Sequence, residues 1–126
     1  MKRILLACFL LTAVFTLTSV TKSSAQAITT ATFMVKVNQM DTYIGAGNMT
    51  AAQTTWNDIH ADMLTVLAVT KNSIHSAATP ADVTYYTGIM TNQRTIYFVI
   101  WPLHTDLLLN RVALHTNLTS FGATIY

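Results

Sequence analysis

The stretch Ile74-His75-Ser76-Ala77-Ala78-Thr79-Pro80-Ala81-Asp82-Val83 separates two long segments of helical periodicity, and its punctuation decides the fold. Thr79 is an N-cap residue whose hydroxyl can accept from a backbone N–H of the first turn. Pro80 follows where a missing N–H costs no hydrogen bond, and Asp82 sits where the helix dipole favours an anion. A helix therefore starts at Pro80. Upstream, Trp56, Ile59, Met63, Val66 and Ile74 form one apolar stripe, interrupted at Thr70. Downstream, Val83, Tyr86, Met90, Tyr97 and Ile100 form another, interrupted at Gln93. The two segments are predicted to pair as an antiparallel hairpin.

Working outward, Phe33, Val37, Met40 and Ile44 recur at helical spacing, and Gly45-Ala46-Gly47-Asn48 is a stop and turn signal. Thr50-Ala51-Ala52-Gln53 then has the pattern of a capping box. Beyond the hairpin, Pro102 breaks the bond to the Phe98 carbonyl and forces a kink or a stop. Leu103, Leu107, Leu114, Leu118, Phe121 and Ile125 continue a helical face after it. The expected fold is all-α, an antiparallel bundle of three to four helices at about 29–45, 50–77, 80–101 and 102–121. Two arrangements fit the last pair: separate helices, or one long helix kinked at Pro102. No turn residue besides Pro102 lies between Ile96 and Asp106, which favours the kinked helix. At about 1.5 Å per residue such a helix would reach ~60 Å and overhang the others, so a homodimer would be needed to cover it.

The N-terminus carries a different signature. Met1-Lys2-Arg3 is cationic, Ile4 to Val20 is mostly apolar, and Ala25-Gln26-Ala27 is a small-x-small cleavage site. These are the three parts of a secretory signal peptide, in order. Cys8 lies too early in the apolar run for a lipoprotein cleavage box and reads as an ordinary residue of it. Cleavage after Ala27 would deliver a single domain, 28–126, to the periplasm or the medium, with no membrane span left. That domain contains no cysteine, which excludes disulfides, thiol catalysis and covalent haem. It carries Lys36, Lys71, Arg94 and Arg111 against five aspartates, a net charge of about −1. So few cations exclude a nucleic-acid partner.

Four histidines, His60, His75, His104 and His115, flank the apolar stripes. They are candidate ligands of an interhelical metal site, with Asp58, Asp62 or Asp106 as a carboxylate donor. The same positions suit solvated boundary histidines better, because no local pair at ligand spacing occurs. A noncovalent haem held by Met34 or Met40 with His115 or His104 is a second arrangement, although methionine also serves as core filler. No nucleophile–base pair or cofactor fingerprint is present, so no catalytic residue and no bound cofactor is expected. Tyr85 and Tyr86 are adjacent and cannot share one core face, and Tyr97-Phe98-Val99-Ile100-Trp101 is apolar all round. Such a helix is either central and buried or covered by a partner; on the second reading Tyr85, Tyr97 and Trp101 are candidate residues of an interaction surface for a protein or peptide.

Met49-Thr50-Ala51-Ala52-Gln53 resembles the Leu-Thr-x-x-Gln motif of the Spy/CpxP family of small periplasmic helical proteins. Met90-Thr91-Asn92-Gln93 is one residue short of a second copy. The resemblance implies ATP-independent chaperones or envelope-stress regulators that form cradle-shaped dimers, with a related branch that senses metals through histidines. It carries over only Thr50 and Gln53, as helix-capping residues. Two functions follow as expectations. The first is an exported, non-enzymatic binding or interaction protein, chaperone-like or linked to envelope stress. The alternative is a metal- or haem-binding sensor or carrier. Convergence of the histidines would favour the alternative; exposure of Tyr97 to Trp101 would favour the first.

Overall fold

The computed structural model describes residues 28–126; the signal peptide expected at 1–27 lies outside them. Four α-helices follow one another: α1 Thr30–Gly45, α2 Met49–His75, α3 Pro80–Ile100 and α4 Arg111–Gly122. Each packs on its sequence neighbour, and α4 closes the ring onto α1. Lys36 of α1 meets Asp62 of α2 at 2.7 Å, and Thr30 of α1 donates to the Gly122 carbonyl of α4 at 2.9 Å. The second pairing joins the first residue of α1 to the last of α4, as antiparallel neighbours in a bundle require. Among the described residues no helix is long and apolar enough to cross a membrane.

The caps explain where the helices begin. Thr29 accepts from the Thr32 N–H at 3.1 Å while the Thr32 hydroxyl accepts from the Thr29 N–H at 2.9 Å, a reciprocal cap for α1. Thr79 accepts from the Asp82 N–H at 3.1 Å, with Pro80 in the first turn, as read from the sequence. The α2 cap differs from expectation. Asn48, not Thr50, accepts from the Ala51 N–H at 3.2 Å, and α2 starts at Met49. Gly47 causes this: at φ +76° it reverses the chain, and the Asn48 N–H closes on the Tyr43 carbonyl at 2.9 Å. The turn is thereby finished two residues before Thr50, and Gln53 bonds Asn57 instead of a cap.

The second correction concerns Pro102. The chain breaks there rather than kinking. Trp101–Thr105 tightens into a 3₁₀ turn, Asp106 becomes extended, and α4 starts only at Arg111, not at 102. The reversal chemistry lies after Thr105. Asp106 accepts from the Leu109 N–H at 2.9 Å, and the Asn110 side chain donates to the Leu103 carbonyl at 3.0 Å. With no ~60 Å helix, the geometric reason for a covering second subunit disappears.

The core holds Phe33, Val37, Met40 and Ile44 of α1, Trp56, Ile59 and Met63 of α2, Ile100 of α3, and Leu114, Leu118 and Phe121 of α4. Phe33 and Phe121 meet at 5.7 Å between ring centroids. Gly122 lets them do so, since a Cβ there would stand 3.1 Å from the Phe33 ring. The two interruptions of the stripes are both buried. Thr70 returns its hydroxyl to the Val66 carbonyl at 3.1 Å. Gln93 is 0% exposed and donates to the Thr124 carbonyl at 3.4 Å, while its Oε1 has no partner. An orphaned buried acceptor costs about 1–3 kcal/mol. Gln93→Met keeps the volume and removes the orphan, so urea denaturation should show a net gain of about 1 kcal/mol after the weak Thr124 bond is lost.

The burial of Gln93 also sets the rotation of α3. Its core face centres on Gln93 and Ile100, so Met90 and Tyr97 move to the edge and Val83 is exposed. That rotation builds the feature described next.

Candidate functional site

Edge residues of α2 and α3 line a groove of about 510 Å³ on the outside of the bundle. Leu67, Ala68 and Ile74 come from α2; Met90, Tyr97 and Phe98 come from α3. On α2 the lining sits beside the core stripe of Met63, Val66 and Thr70, and on α3 beside Gln93 and Ile100. The groove is thus a second apolar seam between two helices already joined by their first. Phe98 is 61% exposed. Lys71 and Arg94 complete the lining. The Arg94 guanidinium lies over the Phe98 ring, 5.8 Å from its centroid.

At one end the groove meets a cluster of rings. His60 of α2 shares a 2.8 Å hydrogen bond with the Tyr97 hydroxyl of α3. Trp101 lies 4.9 Å from the His60 ring and 4.3 Å from His104, and His104 stacks on Trp56 at 5.2 Å. His104 Nδ1 also donates to the Trp101 carbonyl. The 3₁₀ turn Trp101–Thr105 is what brings His104 back onto α2 beside Trp101. Burial among these rings lowers the His60 pKa, and the neighbouring His104 lowers it further. Below its ordinary value near 6.5 the unfolded chain then takes up a proton that the folded chain resists. Stability contributed by neutral His60 is complete above that pH and declines as pH falls toward the folded pKa. The thermal midpoint should therefore drop between pH 7.5 and 5.5, and His60→Gln should flatten that part of the slope.

The four histidines do not gather. His60 and His104 share the cluster, His75 is exposed at the end of α2, and His115 donates to the Asn38 side chain at 3.1 Å. Among the described residues no group of three or more His, Cys, Asp or Glu side chains is placed to hold a metal ion. The carboxylates named with them have other partners or none: Asp62 pairs with Lys36, Asp106 caps its turn, and Asp58 is exposed. Met40 packs in the core and Met34 beside it.

The three surface aromatics divide between two faces. Tyr97 lines the α2–α3 groove, and Trp101, 44% exposed, stacks 6.1 Å from it. Tyr85 lies on the other side of α3, in a polar recess shared with Asn92, Ser120 and Thr124. Leu67, Ile74, Met90, Arg94 and Phe98 escaped the sequence reading as site residues. A signal existed: Leu67, Lys71 and Ile74 follow at four and three residues, as do Met90, Arg94 and Tyr97, each a short stripe beside the core one. The chain matches no known protein family, no curated protein and no solved structure.

Proposed function

We propose that the protein is an exported, non-enzymatic binding protein that holds the apolar part of a small ligand in the α2–α3 groove. The observation that carries this is the groove itself: six apolar side chains from two adjacent helices, open to solvent. Bundles bind small molecules between helices, and about 510 Å³ falls within the usual range of such sites. A protein partner is less well suited. Eight residues line the groove, where a stable protein interface needs about 20–30 on each side. A chaperone-like hold on unfolded chains would need a wider face for the same reason. The secretory signature of residues 1–27 supports export, and the absence of a nucleophile–base pair in the sequence supports binding without turnover.

Titration with N-phenyl-1-naphthylamine, a neutral apolar fluorophore, tests the reading. Saturable enhancement at one site per chain is the expected result. A response no greater than that of an unrelated helical protein would contradict it.

A further inference from the structure

The charges of this chain are few enough to account for one by one. The domain has four lysine and arginine side chains, and every aspartate of the sequence lies among the described residues. Two ion pairs form there: Lys36 with Asp62 at 2.7 Å, and Arg111 with Asp41, through two hydrogen bonds of 2.7 and 3.1 Å. The remaining cations, Lys71 and Arg94, have no carboxylate within 4 Å. Both line the same apolar groove, one from each helix, and no acid lines it with them. Arg94 rests on the Phe98 ring, which keeps the guanidinium at the rim with its donors available.

We infer that the ligand of this groove is a free long-chain carboxylate, with its chain along Leu67, Ile74, Met90 and Phe98 and its head group drawn to one of the two cations, Lys71 toward the Ile74 end or Arg94 toward the Phe98 end. The inference rests on the binding role proposed above and adds the chemical class. Charge complementarity selects the head group: an apolar seam with two unpaired cations and no acid attracts an amphipathic anion and offers nothing to an amphipathic cation. Size selects a single chain. The helices run antiparallel with His60 opposite Tyr97, so the seam from Ile74 to Phe98 is roughly 20 Å long at about 1.5 Å per residue. That is the span of one extended acyl chain rather than of a bulky polycyclic ligand.

The test uses protein purified from the envelope of expressing cells and two probes that differ only in the head group, cis-parinaric acid and its methyl ester. The wild type is expected to bind the acid up to about fivefold more tightly than the ester, since one partly screened ion contact is worth about that factor. The preference should shrink as salt is raised, while ester binding stays constant. Lys71→Gln combined with Arg94→Gln should remove the preference for the acid over the ester. The pair Lys71→Arg and Arg94→Lys should keep it. Equal binding of acid and ester by the wild type would overturn the inference and leave the proposed function standing. Binding of neither probe would overturn both. A dimer by sedimentation velocity that excludes both probes would assign the face to a second copy, and binding only to phosphatidylglycerol vesicles would assign it to a membrane surface. Either result overturns the inference.

Discussion

Phe121→Ala is expected to destabilise the protein by about 3–5 kcal/mol, the range for removing a fully buried aromatic ring. Phe121 has no exposed surface and meets Phe33 at 5.7 Å across the α1–α4 interface that closes the ring of helices. The site cannot collapse easily. Gly122 is already pressed against the Phe33 ring, and Thr30 is tied to the Gly122 carbonyl at 2.9 Å. A domain of this size has a total stability of roughly 5–15 kcal/mol, so the change removes a large share of it. At about 4–8 °C per kcal/mol the thermal midpoint should fall by at least ~12 °C, with the urea midpoint moving in parallel. Leu109→Ala is the matched control. Leu109 is 80% exposed, and its truncation should stay within about 0.5 kcal/mol.

Phe98→Asp is expected to have the largest effect on binding and little on the fold. The ring is mostly outside, so the core of Ile100, Leu114 and Phe121 is untouched. The new carboxylate would sit one helical turn from Arg94, within reach of the guanidinium that now covers the Phe98 ring. It would remove apolar surface and neutralise the cation in one step. A loss of more than tenfold in affinity for N-phenyl-1-naphthylamine and for cis-parinaric acid is expected, with the thermal midpoint close to that of the wild type. Unchanged affinity in a folded variant would place both probes elsewhere on the protein.

Particular residues show how far the sequence determines these features. The hairpin was legible at Thr79-Pro80-Ala81-Asp82, because capping is local chemistry and Thr79 does cap Asp82. The α1 face of Phe33, Val37, Met40 and Ile44 was legible because its stripe has no interruption. The α2 cap was misplaced by two residues, since the positive φ of Gly47 moved it from Thr50 to Asn48. The break after Pro102 depends on Asp106 and Asn110 reaching backbone groups within their own turn. Both follow the stretch from Ile96 to Thr105, in which Pro102 is the one turn residue. The rotation of α3 depends on Gln93, a polar residue that periodicity counts as an interruption and the fold buries.

The groove was hidden for the same reason. Tyr97 was identified, but its neighbours became a site only once α2 and α3 were rotated to set their edge stripes side by side. Two stripes on separate helices carry no sign in the sequence that they will share a seam. The histidines illustrate the converse. Their similar positions at the stripe edges brought His60 and His104 together, yet left His75 and His115 at other places on the bundle.

The most direct test of ligand binding in the α2–α3 groove is residue-resolved chemical-shift mapping by NMR, with methyl parinarate added to the isotope-labelled protein. Neutral, this probe reports the apolar seam independently of Lys71 and Arg94. The expected result is saturable shifts confined to Leu67, Ala68, Ile74, Met90, Tyr97 and Phe98, with Leu108, Leu109 and Val112 unchanged although they are among the most exposed apolar side chains. Shifts centred on Leu108, Leu109 and Val112, or on the recess beside Tyr85 and Thr124, would contradict it.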